Sequence, residues 1–393
     1  MKHSFVFTVQ GEGRGHLTQA IAVYELLTSR GHTVSAVLIG TSSRRKIPGF
    51  VEQRIKAPII TYQSPNFVTD QENKSIQPGK TIIHCLKNWK TYTKSIQTIR
   101  RTIDLHQPDI LLNFYEPLTG IASLRKPLHP NIISIAHQFL YLHPEFDFPK
   151  ESRKADAWSV YHYTKLVSKG SARMIALSFY PVKQTAYKNI VASPPVLRKE
   201  VFEQDVFNGN RILVYILNSG YMQEIIEWNK SHPEVMLDCF TDSAAVKGTW
   251  QYSDSLCFHS LDDKKFLRFM SQAKALVTTA GFESVCEAMY MGKPTLMVPV
   301  KGHFEQWCNA RDALKAGAGI YADRFHLDSL LEYIPQHKKK DQQYTKWIYE
   351  AGRVLMQTIG DVLQEPMEEL TEERNTQLFP FTSPFGNQQL GTS

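Results

Sequence analysis

The chain opens on an unbroken apolar run at residues 5–9, and a 3.6-residue apolar period follows over 17–29. Arg30-Gly31-His32 is a helix stop, and a second apolar run covers 33–39. Strand, helix and strand at this spacing predict a βαβ unit. Further strands are expected at 59–62, 110–114, 131–136 and 174–178, the last of these closing the first half. Residues 64–79 are polar and punctuated by Pro and Gly, which predicts a loop, and 81–105 reads as one long amphipathic helix.

Ser193-Pro194-Pro195 is a stiff break, and the polar stretch 200–210 marks a domain junction. The pattern then restarts. Strands are expected at 211–217, 235–240, 256–259, 275–279 and 295–300, with helices at 221–229, 262–272, 282–291 and 303–316. Strands and helices alternating this closely predict parallel sheets covered by helices on both faces. The expected fold class is therefore α/β, with two Rossmann-like, doubly wound domains at 1–195 and 205–345 facing across a cleft. A terminal segment, 346–393, supplies a last helix (344–363) and a flexible tail rich in Pro, Gly, Asn, Gln and Ser. Ligands of such sheets bind at the carboxyl ends of the strands, so both sets of strand-end loops are expected to line the cleft.

Composition adds bounds. With 393 residues, 42% hydrophobic and 21% charged, the chain can bury two cores. No apolar run reaches the roughly 18 residues of a membrane span, and the N-terminus lacks a signal-peptide pattern. Cys85, Cys239, Cys257, Cys286 and Cys308 are scattered and form no CxxC pair, so neither a zinc site nor a disulfide framework is expected. A reducing cytoplasm fits. The 14 histidines show no HExxH spacing, and no metal is expected. The net charge of +7 is mild, and no nucleic-acid-binding motif accompanies it.

Chemistry concentrates first in Gly11-Glu12-Gly13-Arg14-Gly15-His16. Gly11, Gly13 and Gly15 at a strand-to-helix turn can admit an anion to a helix N-terminus, or can simply let strand and helix pack tightly. The spacing departs from GxGxxG, and the second strand ends Gly40-Thr41-Ser42-Ser43 without the acid a dinucleotide ribose wants. Arg44 and Arg45 keep an NADP reading open. His16, near the helix start, offers an imidazole that can take a proton near neutrality, or a helix-start residue bonded to a nearby carbonyl.

The second concentration runs from 278 to 320. Gly281 sits at a strand-to-helix turn where N–H groups can face a diphosphate. Glu287 follows six residues on, placed to accept ribose hydroxyls. Glu305 and Gln306 follow a strand end, where acid and amide groups suit sugar hydroxyls.

The string AGFESVCEAMYMGKP, then an apolar strand, then GHFEQWCNA and AGAG, resembles the donor half of GT-B glycosyltransferases, above all the MurG-like family and its bacterial relatives. GEGRGH resembles that family's glycine loop with its following histidine. The resemblance implies two Rossmann-like domains, a UDP-sugar donor, inversion at the anomeric carbon and no metal. It makes His16 the general base and Glu287 the ribose residue, and it sets Gly281 at the diphosphate. Glu305, Gln306 and Asn309 fall at the sugar, and Asn218-Ser219-Gly220 at a second phosphate turn. His137-Gln138 resembles an acceptor-side loop, and Glu116-Pro117 follows an acceptor-domain strand. Glu12, Arg14 and Glu305 depart from the type member, which leaves acceptor and sugar open.

Other features carry two readings each. Residues 80–101 hold many Lys and Arg and no acid, fitting an anionic membrane surface and a lipid-linked or glycan acceptor, or a solvated helix packed on the sheet. Glu116 can orient His16, touch the acceptor, or cap the helix that Pro117 opens. Asp262-Asp263 reads as a helix cap and Lys338-Lys339-Lys340 as a solvated turn. The expected partners are a nucleotide sugar and a hydroxyl acceptor, with possible peripheral contact at the inner face of the membrane and no nucleic acid. The rival functions are a UDP-sugar 2-epimerase, a silent sugar-nucleotide-binding protein and an NADP oxidoreductase.

Overall fold

The computed structural model describes residues 1–42, 47–66, 78–150, 153–183, 189–217 and 219–364. Arg44, Arg45, Asn218 and the tail beyond 364 lie outside the described residues, as does 67–77 of the expected loop.

Two seven-stranded sheets organise the chain. The first contains β1 (Ser4–Gln10), β2 (Thr33–Thr41), β3 (Ile59–Gln63), β4 (Ile110–Phe114), β5 (Asn131–Ala136), β6 (Ser171–Leu177) and β7 (Ile190–Ser193). Its order is β3-β2-β1-β4-β5-β6-β7 and every pairing is parallel. The second contains β8 (Arg211–Ile216), β9 (Met236–Thr241), β10 (Thr249–Gln251), β11 (Leu256–Ser260), β12 (Ala275–Thr278), β13 (Thr295–Met297) and β14 (Gly319–Tyr321). Its order is β10-β11-β9-β8-β12-β13-β14, parallel except for the β10–β11 hairpin.

Continuous apolar runs form the central strands because helices cover both faces of a parallel sheet. Phe7 of β1 lies opposite Val37 and Leu112, and all three are fully buried. In each sheet the strand order reverses once, at β1/β4 and at β8/β12. Reversal parts the flanking connections and leaves a crevice at the strand carboxyl ends.

The expected pair of doubly wound halves is present. Some elements differ from expectation. β7 follows the strand expected to be last, and four residues before a Pro-Pro pair are too few to show a period. All three residues of β10 are exposed and β14 is three residues long, so neither leaves a pattern. The basic stretch is two helices, Pro78–Lys87 and Trp89–His106, meeting at Asn88. The helix Lys154–Val167 was not expected, because few of its residues are buried.

One apolar cluster runs through both halves, from Phe5, Val37 and Phe114 to Leu213, Leu276 and Met297. The expected last helix is two, Gln342–Tyr349 and Ala351–Leu363, and the second returns to the first sheet. It buries Leu355 and Ile359 in that cluster beside Ile175 and Leu177 of β6. No helix among the described residues is long and apolar enough to cross a membrane.

Candidate active site

The glycine loop is shaped by packing before it is shaped by any ligand. Gly11 N donates to Gly40 O at 2.8 Å, and a Cβ at Gly11 would lie 2.7 Å from both Gly40 O and Ile39 Cγ2. Only glycine fits so close to β2. Glu12 turns its carboxylate back onto Ser42 N, at 2.9 Å. Gly13 caps the helix Arg14–Ser29 in extended conformation, and its N–H donates to Gln10 Oε1 at 3.2 Å. Gly15 faces the other half: a Cβ there would sit 3.3 Å from Glu283 Cγ.

His16 lies on the first turn of that helix and lines a cleft between the two halves. Its ring stacks on Tyr115, centroids 5.6 Å apart, and Nδ1 meets Gln19 Oε1 at 3.4 Å. Dense surrounding protein strips water from the ring and lowers its pKa to about 4. The imidazole is therefore neutral at pH 7 and keeps one nitrogen lone pair. Tyr115 holds φ at 56°, a left-handed conformation that a bulky residue rarely adopts. Such strain is maintained by its surroundings, here the Thr164 hydroxyl at 2.8 Å and the ring of Phe139.

The second half brings Gly281, Glu287, Glu305, Gln306 and Asn309 to the same cleft. Gly281 caps the helix Phe282–Tyr290, whose first N–H groups lack intrahelical acceptors. Ala280, just before it, has φ 58°, and its carbonyl accepts from Asn309 Nδ2 at 3.2 Å. Asn309 thus supports the turn. Glu287 is gripped by Arg198, with Nε–Oε1 at 2.7 Å. Gln306 Oε1 accepts from Val300 N at 2.8 Å, and His303 Nδ1 accepts from Gln306 N at 3.4 Å. Both fix the loop. Ser219 and Gly220 form a short 3₁₀ turn after β8 and are not among the described residues that line the cleft.

The two halves hold each other through this site. Gln138 Nε2 donates to Glu305 Oε1 at 2.8 Å, and Tyr141 OH donates to Asn309 Oδ1 at 3.3 Å. His137 stacks on Phe282, centroids 4.2 Å apart, while Nδ1 donates to Leu177 O at 2.7 Å. Burial lowers the His137 pKa to about 4 and raises that of Glu305 to about 7. His137 and Gln138 line the cleft and also join the halves.

Glu116 does not reach His16 by any hydrogen bond. Its Oε1 caps the helix Pro117–Arg125 through Leu118 N at 3.1 Å and accepts from Ser64 Oγ at 2.7 Å. The cap reading is in place. Gly40 makes room for the carboxyl, since a Cβ there would come within 2.2 Å of Oε2. Asp262 likewise caps its helix, through Lys265 N at 2.8 Å.

Sequence reasoning passed over Gln19, Arg198 and Glu283. Each is buried and charged or polar, the signal that could have marked them once the halves are brought together. One metal-like cluster exists among the described residues: Asp238, Cys257 and His259, with ligand atoms within 4.8 Å of one another. It lies outside the cleft wall, and Arg211 already pairs with Asp238.

Residues 3–335 match the family model "Glycosyl transferase family 1". The chain belongs to that family. It is a glycosyltransferase of the GT-B fold. Among solved structures it is similar to a glycotransferase of kitacinnamycin, at TM-score 0.60 and 15% identity, covering 93% of this chain and 99% of the other. It is also similar to a UDP-glucosyltransferase from Polygonum tinctorium that glucosylates indoxyl, at TM-score 0.59 and 12% identity, covering 93% and 100%. Phytolacca americana UGT2, solved with UDP-2-fluoroglucose and pterostilbene, aligns at TM-score 0.56 and 12% identity, covering 96% and 98%. At these identities the likeness establishes the fold alone. No curated protein matches the chain.

Proposed function

We propose that this glycosyltransferase moves a sugar from a UDP-sugar to a hydroxyl acceptor, with inversion and without a metal ion. One observation carries the reading: His16 and the Gly281 turn, at strand carboxyl ends of opposite halves, line one cleft. The MurG-like motif string in the second half and the UDP named for related folds support a UDP-linked donor.

In this reading the acceptor oxygen forms its bond to the anomeric carbon as its proton passes to the free nitrogen of His16. The bond from that carbon to the phosphate oxygen breaks, and UDP leaves with the electron pair. N–H groups at the Phe282–Tyr290 helix start meet the growing negative charge. Glu287 and Arg198 face the ribose, and Glu305 and Gln306 read the sugar. Ser219 and Gly220 stand near the phosphates by motif alone. The Ile83, Leu86 and Trp89 side chains are exposed beside Lys87 and Lys90, which favours a lipid-linked acceptor met at an anionic membrane surface.

The test is direct. Calorimetry in chelator should show UDP binding, and tight NADPH binding in its place overturns the reading. His16→Ala should slow acceptor-dependent UDP release by about 10²–10⁴-fold while UDP affinity holds within about twofold. Sugar isomers interconverting without acceptor would point to an epimerase instead.

A further inference from the structure

The nearest hydrogen-bonding partner of His16 is not an acid of its own half. Gln19, one turn along the same helix, takes that place. Its amide is held in turn from the opposite half: Gln19 Nε2 donates to Glu283 Oε1 at 2.6 Å. Glu283 lies on the first turn of the helix that Gly281 caps, and its other oxygen is buried without a hydrogen-bond partner among the described residues. Gly15 leaves the room for this approach, with Glu283 Cγ 3.3 Å from where its Cβ would be.

Donors and acceptors then follow in order. An ionised Glu283 can only accept, so the NH₂ of Gln19 must face it. The reverse amide orientation would set two acceptor oxygens 2.6 Å apart. The Gln19 carbonyl oxygen is thereby turned to His16, and it too can only accept. Nδ1 of His16 must carry the proton, and Nε2 keeps the lone pair.

We propose that Glu283 is a positioning residue that acts through Gln19 to fix the Nδ1–H tautomer of His16, so that the base is ready only where the two halves meet. This rests on the reading of His16 as the base for its catalytic use, but the tautomer itself is measurable without turnover. A carboxyl proton on Glu283 would let it donate and would loosen the order. Burial and Glu287 favour that proton, and the hydrogen bond from Gln19 and the charge of Arg198 oppose it.

The experiment is ¹⁵N–¹H correlation of the full-length protein with ¹⁵N-labelled histidine, with His16 assigned by its loss in His16→Ala. Above about pH 8, where Glu283 is ionised, the wild type should show one Nδ1–H tautomer at His16. Glu283→Gln, whose amide can donate or accept, should give a mixture, and Gln19→Leu should lose the preference altogether. Raising the pH through about 8 should sharpen the wild-type signature and leave Glu283→Gln unchanged. Both variants should lower kcat at least tenfold at saturating donor, a loss that Gln19→Asn should not restore because its shorter amide cannot span the pair. A single Nδ1–H tautomer in both folded variants overturns the proposal even if His16→Ala is inactive. A shifted tautomer in an enzyme that does not need His16 would overturn the base and leave the relay standing. If Glu283→Gln fails to fold, Gly15→Ala, whose methyl would lie 3.3 Å from Glu283 Cγ, should give the same mixture, and a single Nδ1–H tautomer there overturns the proposal.

Discussion

Arg198 holds both oxygens of Glu287 inside the cleft, Nε to Oε1 at 2.7 Å and a terminal nitrogen to Oε2 at 3.2 Å. Both side chains are buried, and Asp263 adds a second carboxylate 3.6 Å from the guanidinium. A buried pair of this kind costs desolvation that its attraction roughly offsets, so removing one partner is far worse than removing both. Arg198→Met should destabilise the protein by about 3–5 kcal/mol. Adding Glu287→Gln should recover most of that loss. Urea midpoints of both single variants and the double variant check this, and a double-variant loss equal to the sum of the two single losses would show that the pair is not energetically coupled.

The glycine loop makes a paired prediction. A methyl at Gly11 would meet backbone and side-chain atoms of β2 at 2.7 Å, whereas at Gly13 its nearest neighbour is His16 Cδ2 at 3.7 Å. Overpacking against backbone costs about 1–3 kcal/mol. Gly11→Ala should therefore lower stability by that amount, and Gly13→Ala, at φ −97°, should stay within about 0.5 kcal/mol of wild type. Comparable losses at both sites, read by thermal unfolding, would contradict this division of roles.

Stability should also depend on pH in opposite directions on either side of an optimum. Burial lifts Glu116 from 4.5 to about 8. The fold binds its proton more tightly than the unfolded chain, so this stability is complete below 4.5 and is lost as the pH rises to about 8. Glu283 and Glu305 add to the same slope. His16, His137 and His303 are lowered from 6.5 to about 4, so their stability is lost as the pH falls through that interval. Glu116→Gln keeps the Leu118 cap and removes the charge on an oxygen without a partner. It should match wild type near pH 4.5 and exceed it at pH 8 by on the order of 1–3 kcal/mol. Parallel stability curves for the two proteins would refute this.

The architecture was legible because parallel strands buried on both faces are written as continuous apolar runs, as in 5–9 and 110–114. β7, β10 and β14 were not, because three or four residues hold no period and their pairing depends on neighbours far along the chain. The site divides the same way. His16, Gly281, Glu287 and Glu305 stand in local motifs that a linear reading can find. Gln19 and Glu283 are separated by 264 positions, and nothing local to either predicts that they meet. Gly11 and Gly15 looked alike in sequence. The first is required by its own sheet, the second by the opposite half.

The helix pair at 78–106 makes the last prediction. Ile83, Leu86 and Trp89 are exposed by 54%, 71% and 41%, and Lys87, Lys90 and Lys94 are exposed on the same stretch. A stretch that combines exposed apolar side chains with lysines and carries no acid from 80 to 101 matches the interface of an anionic bilayer. Each lysine near such a surface is worth about 1 kcal/mol. Neutralising all three to Gln should lower partitioning onto vesicles rich in phosphatidylserine by roughly 100-fold. Because Debye screening weakens attraction between exposed charges, raising salt should reproduce part of the effect in the wild type and little of it in the variant. Transfer to a small soluble acceptor should be unchanged, since these lysines do not line the cleft. Equal sedimentation of both proteins with anionic vesicles would leave the patch as an ordinary solvated surface and would remove the argument for a lipid-linked acceptor.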